Sequence, residues 1–163
     1  MPQLVRVPST LRREVGDVTV SIAAPPSEVF AYLVDPRNRP EWQVSLRRVA
    51  DVVPLGDGPG DVGTSWTDVT VVPFVKPRME VVDNDFPRQW VETGQWRFVD
   101  ATLTLIVDEG PHGTSTVRAR AAFTIPSLFA PAMLVLKAVV PSAIRADLQS
   151  AADRIAERRA SSR

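Results

Sequence analysis

Apolar and polar residues alternate over residues 17–22, and this period of two predicts a half-buried β-strand. A short helix is expected to begin at Ser27, a residue type that favours the first turn of a helix. The helix should end at Asp35, because a residue before proline is pushed out of the helical region. A second short helix is predicted at about 39–43. The chain is therefore expected to open with one strand and two short helices.

Six further strands are predicted between residues 46 and 125. Each is a run of alternating or β-branched residues bounded by glycine, proline, asparagine or aspartate. Short turns between successive strands, one of them at Gly94-Gln95, are typical of an antiparallel meander. The predicted strands are 46–54, 64–72, 75–83, 89–93, 98–107 and 114–125.

The last part of the chain predicts a long helix from Ser127 to about Arg158. Leu148 and Ile155 belong to an apolar stripe at helical spacing, with charged residues mostly off the stripe. Pro141 interrupts this segment. Because proline lacks the backbone donor and its ring clashes with the preceding turn, a kink or a break into two helices is expected there.

These elements predict a single α+β domain. A seven-stranded antiparallel sheet, curved around the long C-terminal helix, would bury the apolar faces of both layers. Two short helices follow the first strand. Residues 1–12 are expected to form an N-terminal arm, residues 13–158 the domain, and residues 159–163 a C-terminal tail.

Composition excludes several kinds of chemistry. The 163 residues include no cysteine and one histidine, His112, which excludes a disulfide framework, a zinc–thiolate site and a multi-histidine metal site. Basic and acidic residues both number 19, so the overall positive charge typical of nucleic-acid-binding proteins is missing. We therefore expect no metal site and no nucleic-acid partner.

No segment predicts a targeting signal or a stable membrane insertion. The first sixteen residues contain no apolar run of signal-peptide length. The most apolar window, Leu128–Ile144, is 17 residues long and contains Lys137 and two prolines, which is short for a membrane span. The expectation is a soluble cytoplasmic protein.

The helix half at 128–140 is apolar nearly all round, and one sheet cannot bury every side of it. The excess apolar surface is expected to form a dimer contact, a gate or a surface that touches a membrane. Cover by the N-terminal arm, through Leu4, Val5, Val7 and Leu11, is an equal alternative.

Ionisable residues within the predicted strands are the candidates for polar chemistry. Most are expected on the solvent face of an antiparallel sheet. Two that faced inward would pair, and would orient a ligand's polar end or serve as acid and base. The candidates are Asp68, Arg78, Glu80, Glu92, Arg97 and Asp100.

Several short motifs, in this order and spacing, resemble the helix-grip fold of the START / Bet v 1-like (SRPBCC) superfamily, especially its bacterial polyketide cyclase/dehydrase and lipid-transport group. The resemblance covers about residues 17–158. It is carried by Pro-Ser-Glu-Val-Phe at 26–30, Asp-Pro-Arg-Asn-Arg-Pro-Glu-Trp at 35–42, Val-Gly-Thr at 62–64, the strand–Pro-Arg turn at 80–88 and Gly-Thr at 113–114.

The resemblance implies a cavity between the sheet and the long helix. It implies a binding or carrier protein for a hydrophobic small molecule such as a lipid or polyketide, with no cofactor. The alternative that it leaves open is a polyketide aromatase/cyclase or dehydratase that uses the same cavity, and a homodimer is possible. It assigns no catalytic residue. The residues expected to form the cavity walls are Trp42, Trp66, Met79, Val81, Leu103, Ala119, Ala121, Phe123, Leu134 and Ala138.

Two of these wall residues carry a specific expectation. Ala119 and Ala121 should face the interior, because Arg118 and Arg120 beside them are costly to bury and should take the opposite face. Their small side chains are expected to leave volume for a ligand.

Overall fold

The seven predicted strands form one antiparallel sheet in the computed structural model, which describes residues 9–162. Their order across the sheet is β1-β7-β6-β5-β4-β3-β2, and every neighbouring pair is antiparallel. The strands are β1 (Thr10–Ile22), β2 (Leu46–Val53), β3 (Ser65–Thr70), β4 (Arg78–Asp85), β5 (Gln89–Trp96), β6 (Val99–Glu109) and β7 (Ser115–Pro126). The sheet curves around the C-terminal helix, which confirms the predicted α+β helix-grip fold.

Strand β1 begins at Thr10, seven residues before the predicted start. A bulge between Glu14 and Gly16 shifts the register against β7. Two successive residues, Val15 and Gly16, are consequently buried, so the alternation seen at 17–22 does not continue back to the start of the strand. The last three residues of the predicted N-terminal arm thus belong to the sheet, and residues 1–8 of that arm lie outside the described part.

Strand β5 continues to Trp96, so the turn predicted at Gly94-Gln95 is wrong. The turn lies at Arg97-Phe98, where Arg97 has a positive φ of 55°. Gly94 serves close packing instead, since a Cβ at this position would lie 2.7 Å from the sulfur of Met79.

The two short helices follow β1 as predicted. Helix α1 spans Pro26–Val34, and α2 spans Arg39–Trp42. A 3₁₀ turn at Pro36–Asn38 joins them, and the Asp35 carboxylate accepts a hydrogen bond from the backbone N–H of Arg37 at 3.0 Å. This cap fixes the start of the turn that leads into α2.

The C-terminal helix begins with a 3₁₀ turn at Ser127–Phe129 and continues as α3, Ala130–Ser161. It is one helix across Pro141, so the break into two helices is wrong, while the kink stays a prediction. Beyond Pro141 the helix is buried against the sheet at Leu148, Ala151 and Ile155. Packing of this face outweighs a local cost of about 3 kcal/mol for an interior proline.

The two halves of α3 differ in burial. The C-terminal helix, counted with its first turn as Ser127–Ser161, is long and apolar enough to cross a membrane. Its most apolar 18 residues have a mean hydropathy of 1.8. Only 6% of that window is buried. The C-terminal half, in contrast, belongs to the core of a soluble-type α+β domain.

The main core lies beneath α1 and the C-terminal half of α3. Its largest members, Trp66 and Trp90, stack with their ring centroids 6.3 Å apart and are fully buried. A smaller cluster around Val15, Ala121 and Met133 closes the contact between α3 and the β1–β7 edge.

At Gly16 strand β1 packs closely against α3, and Gly16→Val should lower the free energy of unfolding by about 1–3 kcal/mol. A Cβ at Gly16 would already lie 3.1 Å from Ile144 Cδ1 and 3.4 Å from Val140 Cγ1, so two further methyl groups must displace α3. Urea denaturation measures the change. The control is Thr19→Val on the exposed face of the same strand, and equal stability of both variants would contradict this close-packing role.

Candidate functional site

A cavity of about 670 Å³ lies between the sheet and the N-terminal half of α3. Its walls are mostly apolar and come from strands β2 to β7 on one side and from α3 on the other. It is partly open to solvent. The principal apolar wall residues are Met79, Trp96, Ala101, Phe123, Phe129 and Val135.

Polar side chains line only one region of this cavity. Arg39 comes from α2, Asp68 and Thr70 from β3, and Asp147 from α3, together with Gln43 and Ser45 in the α2–β2 connection. The cavity therefore offers a ligand one polar region and an otherwise apolar wall.

Arg39 is held between two buried carboxylates. Its Nη1 donates to Glu92 Oε2 at 2.7 Å, and its Nη2 donates to Asp68 Oδ2 at 3.1 Å and to Glu92 Oε1 at 3.1 Å. All three side chains are at most 6% exposed. Because Asp68 lies on β3 and Glu92 on β5, Arg39 links α2 to two strands that are not direct neighbours.

Trp66 completes this buried ion cluster of Arg39, Asp68 and Glu92. Its indole Nε1 donates to Asp68 Oδ1 at 2.8 Å, and the Arg39 guanidinium lies 5.1 Å from the centre of its ring. Asp68 is thereby bonded on both oxygens. The cluster joins the polar region of the cavity to the tryptophan core.

The charges within the cluster do not balance, because one guanidinium faces two carboxylates. Burial raises the pKa of Glu92 to about 6, against the favourable charge of Arg39, and the nearby Asp68 carboxylate raises it further. For Arg39, burial alone would lower the pKa, but its two acidic partners raise it above the ordinary value. The guanidinium is therefore charged, and Glu92 is the group poised to take up a proton.

Asp147 is an acidic side chain of the cavity wall that has a shifted pKa. Burial raises the pKa of its carboxyl group, against a hydrogen bond from the Val44 backbone N–H at 3.0 Å and the charge of Arg39. It makes no salt bridge within residues 9–162. Asp147 therefore presents a carboxyl group to the cavity, and no cationic side chain of the described residues forms a salt bridge with it.

The structure brings only part of the predicted wall together. Met79 and Phe123 line the cavity. Five predicted residues are buried in the core and do not line it: Trp42, Trp66, Val81, Ala119 and Ala121. Leu103 packs against both core clusters. Leu134 and Ala138 are exposed on α3, away from the lining.

Ala119 and Ala121 do face the interior, as predicted. Arg118 and Arg120 take the opposite face, where they form ion pairs with residues of β1. The expectation that these alanines leave ligand volume is nevertheless wrong. The bulge at Gly16 lets α3 close against β1 and β7, so the space over Ala121 is filled.

Two of the six ionisable strand candidates, Asp68 and Glu92, face inward, and both pair with Arg39. The other four ionisable strand candidates face solvent as expected: Arg78, Glu80, Arg97 and Asp100. Sequence reasoning missed Arg39, which lies on a helix and not on a strand. One signal could have pointed to Arg39: two buried carboxylates need a cation nearby, because an unpaired buried charge is rarely tolerated.

A family model described as polyketide cyclase / dehydrase and lipid transport matches residues 15–159. The chain belongs to this family. The match covers nearly the whole described domain, including every element that lines the cavity. The family and the geometry together show a fold that binds hydrophobic ligands. No curated protein matches the sequence at a significant level.

Solved structures with the same fold include two enzymes of low sequence identity. Truncated norcoclaurine synthase from Thalictrum flavum superposes with a TM-score of 0.71 at 12% identity, over 93% of this chain and 98% of that chain. The Zhui aromatase/cyclase from a Streptomyces species gives 0.69 at 17% identity, over 91% of this chain and 96% of that one.

A third structure, the di-domain aromatase/cyclase StfQ of the steffimycin biosynthetic pathway, gives a TM-score of 0.70 at 16% identity. The match covers 93% of this chain and 52% of StfQ. At these identities the three likenesses support the fold, and the roles of individual residues rest on the geometry of this chain.

Proposed function

We propose that this protein binds and carries a hydrophobic small molecule, in the cavity between the sheet and the N-terminal half of α3. The observation that supports this most directly is the cavity itself, about 670 Å³ with mainly apolar walls. Its volume lies within the range of about 300–1,000 Å³ found for small-molecule sites. Burial of apolar ligand surface against these walls would supply most of the affinity.

The polar region points to a ligand with one oxygen-bearing end. Arg39 lines the cavity, and its Nε is buried without a hydrogen-bond partner in the described residues. A carbonyl or hydroxyl oxygen placed here would accept from Arg39, and a hydroxyl would also donate to Asp147. Because Arg39 already has two carboxylate partners, a neutral polar group suits this region better than an anionic one.

A cyclase or dehydratase is the second candidate, and Asp147 is the observation that favours it. A carboxyl group with a raised pKa, on the wall of an apolar cavity, has the character of a proton-transfer group. Recovery of a bound poly-β-keto thioester analogue separates the candidates. A carrier returns the analogue unchanged, whereas a cyclase or dehydratase returns a cyclised product or one that has lost water.

Filling the cavity should weaken binding without unfolding the protein. Ala101 lines the cavity from β6, so Ala101→Trp is expected to weaken binding of the neutral apolar dye N-phenylnaphthylamine by about tenfold or more. The indole enters space that is open in the wild type, and the thermal melting temperature should change little. Fluorescence titration and a thermal melt on the same samples measure both effects.

The matched control is Thr102→Trp, one residue along the same strand. Inward and outward side chains alternate along β6, so this tryptophan lies outside the cavity. Its affinity for the dye should equal that of the wild type. Equal dye binding by Ala101→Trp and wild type would show that the dye binds elsewhere, and the cavity would lose its proposed role.

A further inference from the structure

Three connections of the chain meet at one end of the sheet. In an antiparallel sheet alternate connections share an end, which places the β3–β4 loop (71–77), the β5–β6 turn (97–98) and the β7–α3 junction (127–129) together. Contacts confirm the placement. Trp96 Nε1 donates to the Phe74 carbonyl at 3.2 Å, and the rings of Phe98 and Phe129 stack with centroids 4.8 Å apart.

Apolar side chains project into solvent from all three connections, and we call this surface the rim. It adjoins the cavity, because Phe98, Phe129 and Val135 also line it. Phe74 is 85% exposed and Leu128 is 84% exposed. The rim consists of Val72, Phe74, Phe98, Leu128, Phe129 and Val135.

The most exposed aromatic residue is held in place by its backbone. Phe74 has a positive φ of 68°, which is rare for a residue with a large side chain. Hydrogen bonds to the Phe74 and Val75 carbonyls, from Trp96 and from the Thr70 hydroxyl, fix the loop on both sides. A strained backbone that the surrounding hydrogen bonds maintain is typical of functional sites. The exposed Phe74 side chain is therefore a candidate for a functional contact.

The charge of this end differs from that of the whole chain. Segments 71–78 and 96–100 contain three basic residues and one acidic residue, whereas the chain as a whole is balanced. The basic residues are Lys76, Arg78 and Arg97. Arg97 is placed over the ring of Trp96, 5.2 Å from its centre.

We propose that the rim docks onto an anionic lipid bilayer. The phenylalanine and leucine side chains enter the interface between head groups and acyl chains, and the basic residues bind the lipid phosphates. This docking is peripheral, because α3 continues into the core of the domain through Leu148, Ala151 and Ile155. The cavity opening would then face the membrane, although docking itself does not require a ligand in the cavity.

Charge favours a bilayer over the two other possible occupants. In a two-fold homodimer the rim would pack against its own copy and bring like charges together. Residues 1–8 contain Arg6 and no acidic residue, so they cannot neutralise the basic side chains. An anionic lipid surface complements both the apolar tips and the positive charge.

Sedimentation with vesicles tests the proposal. The full-length protein should bind vesicles of phosphatidylcholine mixed with phosphatidylglycerol, and bind pure phosphatidylcholine vesicles at least about tenfold more weakly. Phe74→Ser should weaken binding to the mixed vesicles by about tenfold or more, since an aromatic side chain is no longer buried in lipid. The double variant Lys76→Ala and Arg97→Ala should also lose at least about tenfold, and added salt should reduce wild-type binding.

The matched control is Phe86→Ser, an exposed phenylalanine in the β4–β5 turn at the opposite end of the sheet. Its vesicle binding should equal that of the wild type, and circular dichroism checks that each variant is folded. The proposal is overturned if the wild type does not sediment with mixed vesicles, or if both rim variants bind as the wild type does. It is also overturned if Phe74→Ser converts a stable dimer into a monomer, because the rim is then a contact between copies.

The lipid-docking proposal and the carrier proposal are tested by different measurements, so one can be rejected while the other stands. Ala101→Trp should still bind vesicles while it loses the dye, because Ala101 lies inside the cavity and outside the rim. A protein that binds the dye but no vesicles keeps the carrier proposal and rejects the docking proposal.

Discussion

Arg39→Met is expected to lower the free energy of unfolding by about 3–5 kcal/mol at neutral pH, the cost of removing one partner from a buried ion pair. The substitution keeps most of the side-chain volume but leaves Asp68 and Glu92 buried without their cation. Two like charges then face each other in a region of low polarity. Urea denaturation followed by tryptophan fluorescence measures the loss, with the four tryptophans as the probe.

The loss should depend on pH in a defined direction. Without Arg39 the pKa of Glu92 rises further in the folded state, because the cation that lowers it is gone, so the folded variant binds more protons than its unfolded state. Its stability therefore falls as the pH rises through this range. The difference between wild type and Arg39→Met should be larger at about pH 7 than at about pH 4.

The matched control is Arg37→Met, two residues earlier. Arg37 also pairs with a carboxylate, that of Asp35, but its side chain is 73% exposed. The Arg37 side chain lies in solvent, and Asp35 keeps the hydrogen bond from the Arg37 backbone N–H, so this variant should lose much less stability than Arg39→Met. A similar loss in both variants would show that removal of any arginine from this segment matters, and that the buried ion cluster has no special role.

The fold was predictable because its elements carry strong local patterns. Alternation gave the strands, as in β6 and β7, and helical spacing gave α3 with its start near Ser127. Errors occurred where a local irregularity interrupts the pattern. The bulge in β1 places Val15 and Gly16 on the same face, and Gly94 occurs within a strand although glycine is common in turns.

The cavity was harder to predict, because it depends on how far α3 stands from each part of the sheet. The alternation of β7 correctly placed Ala119 and Ala121 inward, but the sequence does not show that Gly16 allows α3 to fill the space over Ala121. The cavity instead lies where Gly94 and Ala101 leave room and the N-terminal half of α3 contributes its wall. Distances between layers are a property of the whole fold and not of one strand.

The polar region shows the same limit. Asp68 and Glu92 were among six charged strand residues, and the sequence could not decide which of them face inward. Register shifts such as the one between Val81 and Asp83 reverse the alternation. The partner Arg39 is 29 residues from Asp68 and 53 from Glu92 in sequence, so only the folded chain brings the three together.

Glu92→Gln is expected to remove a pH-dependent loss of stability from the protein. The pKa of Glu92 is about 6 in the folded state, against an ordinary value of 4.5. Between these values the folded state binds more protons than the unfolded state, so wild-type stability falls as the pH rises. A shift of this size corresponds to about 2 kcal/mol. Glutamine resembles the protonated side chain in shape and has no such titration.

Unfolding curves of the wild type and of Glu92→Gln, each at about pH 4 and about pH 7, measure this effect. Relative to Glu92→Gln, the wild type should lose about 2 kcal/mol of unfolding free energy between these two pH values. The control variant Glu80→Gln, on the exposed side of β4, should follow the wild-type profile. If the wild type and Glu92→Gln instead run parallel, the pKa of Glu92 is not raised. Arg39 must then offset the cost of burying both carboxylates in full.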